Sequence, residues 1–105
     1  MKSTVFLGLT LLACSGLALA GAPEGKSLFA AKCQPCHGAN GEGKAAIAKM
    51  LNATMAPLSS KPVQAHTNAE FKKIITAGQG KMKPLAGLKD AEIDDIIAHV
   101  RTLKP

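Results

Sequence analysis

Tryptophan and tyrosine are absent from this 105-residue chain, and only three Phe are present. Acidic residues are scarce as well, with seven Asp plus Glu against thirteen Lys plus Arg. Three Cys are too few for a disulfide framework, and a bridge between Cys33 and Cys36 would close too short a loop to restrain the rest of the chain. No internal repeat, low-complexity tract or period-2 alternation is present, which argues against strands. Beyond the first twenty residues no apolar run approaches the roughly 20 residues that cross a bilayer.

The one long apolar run is at the start. Met1-Lys2 precedes a greasy stretch from Val5 to Leu12, and Ala18-Leu19-Ala20 stands before Gly21. A positive start, an apolar middle and a small-residue cleavage site predict a secretory signal peptide over 1–20, leaving one small basic domain over 21–105. Leu11-Leu12-Ala13-Cys14 loosely resembles a lipobox, in which Cys14 would carry a lipid anchor. The apolar segment continues past it to a better cleavage site at Ala20, so an ordinary Cys inside the leader is preferred.

Residues 21–105 contain 19 Val, Ile, Leu, Met and Phe, with Phe29 and Phe71 their only aromatics. A domain of this size with so thin a core commonly needs a metal, disulfides or another staple. Three segments have helical spacing. The first opens after Pro23, has Glu24 near its positive end and runs through Leu28 and Phe29 toward Cys33. The second is Asn68 to Ala77, opened by a Thr67-x-x-Glu70 capping box and stopped by Gly78, with Phe71, Ile74 and Ile75 on one face. The third spans about Ala91 to Leu103, with Asp90 as cap and a stripe of Ile93, Ile96, Ile97 and Val100. A weaker helix is predicted over Ala45 to Leu51. The expectation is an all-α fold of three to four helices, whose long loops wrap a large, flat, apolar group.

Cys33-Gln34-Pro35-Cys36-His37 has the pattern of a c-type haem attachment. On a helical turn, positions i, i+3 and i+4 share a face. Cys33 and Cys36 can therefore form thioethers with two haem vinyl groups while His37 aims a nitrogen at the iron. Rival readings are a thiol-disulfide motif, which needs a low-pKa Cys, a structural zinc site, which needs four ligands, and a chance occurrence. For the second axial position the candidates are Met50, Met55, Met82, His66 and His99. Met82 sits in Gly78-Gln79-Gly80-Lys81-Met82-Lys83-Pro84, where glycines and a proline let an extended loop approach a flat surface. It is preferred for that reason. Met50 is expected to pack on the weak helix, His66 to be an exposed loop residue, and His99 to be partly buried beside the last stripe.

With these landmarks in place, residues 21–105 resemble the small class I bacterial cytochromes c. The resemblance is carried by Gly25 and Phe29, by Cys33-Gln34-Pro35-Cys36-His37-Gly38 with the following Gly-rich stretch, by the Met82 loop, and by Ile96-Ile97-Ala98-His99-Val100-Arg101. It implies one covalently attached haem c, Cys33 and Cys36 as tethers, His37 and Met82 as axial ligands, and first and last helices that cross near Gly25 and Phe29. It also implies a prolyl carbonyl, assigned to Pro57, accepting the His37 ring N–H. His99 stands where the family often has an aromatic, which predicts a looser crossing. No Tyr or Trp is available to the haem propionates.

With both axial positions filled, iron has no vacant site for a substrate. The expected function is therefore outer-sphere electron transfer by a soluble, monomeric periplasmic carrier, and not catalysis. The alternative is a five-coordinate or Met-displaceable haem protein that binds or senses a small ligand. Nine lysines from Lys26 to Lys83 precede the acidic start of the last helix. They are read either as a docking field for acidic redox partners or as ordinary solubilising charge. Nucleic acid is not an expected partner, because no recognition motif accompanies the charge.

Overall fold

The computed structural model describes Gly8 and residues 21–105. The rest of the expected leader, Cys14 included, lies outside the described residues. Among those described, six helices follow one another: α1 (Gly21–Lys32), α2 (Gln34–His37), α3 (Ala45–Leu51), α4 (Lys61–Gln64), α5 (Asn68–Ala77) and α6 (Asp90–Val100). Two of the six, α2 and α4, are single turns with Pro in their first turn, where its missing N–H breaks no helical bond. The four longer helices are the predicted ones, but α1 begins at Gly21 and takes Pro23 into its first turn, where the missing N–H breaks no helical bond. None of the helices among the described residues is long and apolar enough to cross a membrane.

Local chemistry explains the clean ends of α5. The Thr67 hydroxyl accepts the Glu70 amide at 3.1 Å, while the Gly78 amide closes on the Ile74 carbonyl at 2.8 Å. Gly78 has φ +77°, and a Cβ there would meet the Met82 carbonyl oxygen at 2.7 Å, so both backbone angle and space require glycine. The predicted capping box is only half made. The Glu70 carboxylate turns instead to His66 Nδ1 at 2.7 Å, and this bond, with help from Thr67, holds the Glu70 carboxyl below its ordinary range.

The last helix departs from expectation at both ends. Asp90 is already helical, and the Lys89 amide before it donates to the Glu92 carboxylate at 2.9 Å. At the other end α6 stops at Val100, three residues short of Leu103. There the Thr102 hydroxyl donates to the His99 carbonyl at 2.6 Å and its amide turns to the same oxygen, which tightens the chain out of the α-helix.

The core joins Phe29 of α1, Phe71 and Ile75 of α5, and Ile93, Ile96, Ile97 and Val100 of α6. It is thin, as the composition predicts, and it is concentrated where α1 crosses α6. A Cβ on Gly25 would lie 1.8 Å from the Asp95 carbonyl oxygen, so backbone meets backbone at the crossing. The predicted looseness at His99 is not found. Its side chain is only 9% exposed and its ring sits 5.1 Å from that of Phe29, tilted by 58°, so the imidazole fills the aromatic position.

Burial, and then the charge of Lys26, holds the His99 imidazole below its ordinary pKa. The unfolded chain takes up this proton near the ordinary value of about 6.5, while the folded chain resists it. Stability from this group is therefore fully present above that value and declines as pH falls toward the depressed folded pKa. Replacing His99 with Phe should flatten the fall in stability between about pH 7 and pH 5 relative to wild type. Denaturant unfolding at several pH values reads this directly.

Arg101 ties the 61–68 segment to the end of α6. Its guanidinium donates to the Gln64 and His66 carbonyls and to Asn68 Oδ1, and lies 4.5 Å from the centre of the Phe71 ring. Gln64 Nε2 reinforces the tie by donating to the Leu58 carbonyl at 2.8 Å and the Val100 carbonyl at 3.2 Å. Lys72 reaches Asp94 and Asp90 at 3.5 and 3.8 Å, an exposed arrangement that contributes little to stability.

Candidate haem site

Helix α1 delivers the C-x-x-C-H segment through a tight junction. The Cys33 amide still bonds the Phe29 carbonyl at 2.8 Å, and the Cys33 carbonyl accepts the amides of Cys36 and His37 at 3.2 and 2.9 Å. Cys33 is half-buried against the core, Cys36 is exposed and His37 is half-buried at the end of α2. The Gly-rich stretch folds back on this turn, with the Gly43 amide on the His37 carbonyl at 2.6 Å and the Lys44 amide on the Cys36 carbonyl at 3.0 Å. These bonds satisfy carbonyls that a helix end otherwise leaves open.

The electrostatics separate the rival readings. Burial, and then the neighbouring Cys36 thiol, pushes the Cys33 thiol up to about 11, the opposite of what a thiol-disulfide motif requires. Neither Cys33 nor Cys36 is in a disulfide. Among the described residues no group of three or more His, Cys, Asp or Glu is placed to hold a metal ion, so the four ligands of a zinc site are not assembled there. Burial lowers the His37 pKa and keeps its imidazole neutral, the state in which a ring nitrogen can bind iron.

His37 Nδ1 is buried without a hydrogen-bond partner. The Pro57 carbonyl, which the resemblance offers it, accepts the Ser60 amide at 3.0 Å and takes no bond from the His37 ring. The expected orienting bond is therefore not formed. Two cysteines outside any disulfide and, on the same turn, an imidazole whose buried Nδ1 has no protein partner are nevertheless the donor set that a covalently tethered haem requires.

Met82 is positioned from the other side of the sequence. Gln79 and Met82 exchange backbone hydrogen bonds of 3.0 and 2.9 Å in a tight turn after α5, and the Leu85 amide pins the far end of the loop to the Ile75 carbonyl at 2.9 Å. Met82 is half-buried between exposed Lys81 and Lys83. No hydrogen bond among the described residues joins this turn to Cys33, Cys36 or His37.

The other ligand candidates are placed differently. Met50 is 72% exposed on α3, not packed on it as expected, because the short helix turns only Ile47, Ala48 and Leu51 partly inward. Met55 is half-buried beside Gly43. His66 is more engaged than a free loop residue, bonded to Glu70 and set edge-on to Phe71 with ring centres 5.8 Å apart. His99 is sealed in the crossing of α1 and α6. The Arg101 and Gln64 ties were missed by sequence reasoning, and only the basic position at a helix end hinted at one of them.

A family model described as cytochrome C oxidase, cbb3-type, subunit III matches residues 20–100. The chain therefore belongs to this cytochrome c family and is a small monohaem c-type cytochrome with covalently bound haem c as its cofactor. It is 36% identical over 72 residues to cytochrome c-555 of Methylococcus capsulatus, an alignment covering 67% of this chain and 51% of that relative. The chain thus spans about half the length of that relative. Among solved structures, the KustC0563 c-type cytochrome superposes with a TM-score of 0.63 at 23% identity, covering 77% of this chain and 98% of the other. Cytochrome cL from Hyphomicrobium denitrificans gives 0.56 at 22% identity, over 80% of this chain and 48% of the other. Both likenesses establish the class I cytochrome c fold.

Proposed function

We propose that the chain is a periplasmic electron carrier that passes single electrons between redox proteins and catalyses no reaction itself. Haem c supplies an Fe(II)/Fe(III) couple when bound. Cys33 and Cys36 would tether the group, and His37 and Met82 would supply the protein ligands to its iron. The observation that carries this reading is the half-buried His37 imidazole, whose buried Nδ1 has no protein partner and which stands on the same turn as Cys33 and Cys36, neither of them in a disulfide. The flanking turn around Gln79 and Met82 holds a soft thioether in a short, bonded loop, and a thioether ligand raises the potential relative to two nitrogens. With both positions taken, water and small ligands are kept from the iron.

Two measurements test the carrier reading. The reduced protein at neutral pH should resist carbon monoxide; rapid binding would mean that the sixth position is open and that the chain is a ligand-binding haem protein. Electron exchange with an acidic redox partner should slow steeply between low and physiological ionic strength, because exposed lysines such as Lys44, Lys49, Lys81 and Lys83 steer the encounter. A flat salt dependence would remove the docking role from these charges.

The two tethers should differ when removed one at a time. Either Cys33→Ser or Cys36→Ser should leave haem on one thioether, seen as a shifted band in the alkaline pyridine spectrum. Cys33→Ser should also destabilise the fold by roughly 1–3 kcal/mol, because it places a hydroxyl against the core, whereas exposed Cys36 carries little packing. Equal losses of stability would contradict the burial difference.

A further inference from the structure

We propose that removal of the leader after Ala20 completes an ion pair in the fold, in which the freed α-ammonium of Gly21 at the head of α1 pairs with the Asp95 carboxylate of α6. The inference rests on the exported-leader reading. Its structural basis is the place where residue 21 meets the last helix. A Cβ on Gly21 would lie 2.7 Å from Asp95 Oδ1 and 3.6 Å from the Ala98 Cβ, so the α-carbon abuts α6. The backbone nitrogen is bonded to that same α-carbon, which puts it within roughly 5 Å of the carboxylate. One turn along, the Gly25 α-carbon presses on the Asp95 carbonyl, so the tightest contact of the two helices fixes the separation. Both Gly21 and Asp95 are half-buried, which limits screening by water.

Cleavage changes the chemistry at that nitrogen. In the precursor it is an uncharged amide; hydrolysis of the Ala20–Gly21 bond consumes one water, leaves a carboxylate on the leader and frees an amine that is protonated at neutral pH. A positive charge at the head of a helix opposes the helix dipole, and Asp95 offsets that opposition. Glu24, three residues along α1, and Asp94, beside Asp95 and shared with Lys72, add to the negative field. The positive or basic groups on these helices are Lys26, whose charge acts on His99, Lys32 at the far end of α1, and His99 itself. The maturation cut thereby strengthens the crossing that carries the core, and the unprocessed chain lacks the pair.

The test uses the haem-loaded protein recovered from the periplasm. Intact mass first establishes whether Gly21 is the N-terminus, and NMR titration then reads the α-amino pKa. Wild type should titrate roughly one unit above the ordinary range of about 7.7–8.0. Asp95→Asn should lose that upward shift, because only the weaker fields of Glu24 and Asp94 are then set against the helix dipole, and Glu24→Gln should keep it. A chain extended by one Ala before Gly21 should lose the upward shift while keeping Asp95. Because the folded pKa is raised, the added stability is present below about pH 8 and is lost as pH rises through the folded value. The unfolding equilibrium of wild type and Asp95→Asn should therefore differ about tenfold at pH 7 and converge near pH 10.5. Gly21 at the N-terminus with the same amine pKa in both proteins overturns the pairing and leaves the leader reading standing. Any other N-terminus overturns both.

Discussion

Met82→Ala should abolish the weak long-wavelength band of Met-to-ferric-iron ligation in the oxidised protein, shift the spectrum toward high spin and lower the reduction potential. The loss should be complete, because in the proposed site one side chain supplies the ligand. The turn that holds Met82 is made by backbone bonds with Gln79 and by the Leu85 amide on Ile75, none of which uses the Met82 side chain. The loop should therefore survive the substitution, and the spectral change then reports ligation and not unfolding. Met55→Ala and Met50→Ala serve as controls that should keep the band. Survival of the band in Met82→Ala would move the assignment to Met55, which lies half-buried beside Gly43. A wild type that is already high-spin would remove Met ligation altogether. The histidines are poor substitutes, since His99 is enclosed against Phe29 and His66 Nδ1 is held by Glu70.

Gly25→Ala should cause the largest loss of stability of any single methyl group added to the chain. The new carbon would fall 1.8 Å from the Asp95 carbonyl oxygen, 2.4 Å from its carbon and 3.0 Å from the Ile96 nitrogen. All three are backbone atoms, so no side-chain rotation relieves the clash and α1 must move off α6. That movement opens the layer of Phe29, Ile93, Ile96 and Ile97, which is most of the core. We expect a loss of at least about 3 kcal/mol against a total of about 5–15 kcal/mol for a typical domain. The melting temperature should fall by roughly 12 °C or more. Guanidinium unfolding of the oxidised haem protein measures it, and Gly21→Ala is the contrast. There the new methyl meets the end of the Asp95 side chain, which can swing aside, so a clearly smaller loss than in Gly25→Ala is expected. Equal losses in the two variants would mean that the crossing is not the close contact described.

The parts of this molecule that were legible in the sequence are those governed by neighbours along the chain. Helix α5 was read to both ends because Thr67, Glu70 and Gly78 act within a turn of themselves. The apolar stripe of α6 follows from its period, and Cys33, Cys36 and His37 share a face because three- and four-residue steps do so on any helical turn. The errors came where a side chain chose a partner that local rules do not rank. Glu70 left its capping box for His66, Thr102 ended α6 early through the His99 carbonyl, and Pro57 gave its carbonyl to Ser60.

Composition, periodicity and the C-x-x-C-H spacing by themselves determined an all-α chain with a thin core and a covalent haem, because each depends on residue type and short-range geometry alone. Only the tertiary structure decided that Gly25 is a point of backbone contact, that His99 fills an aromatic position, that Arg101 binds α6 to the segment before α5, and that Gly21 stands against Asp95. Each of these joins residues more than 30 positions apart, where sequence carries no distance and only the packing of one helix on another brings the partners within reach.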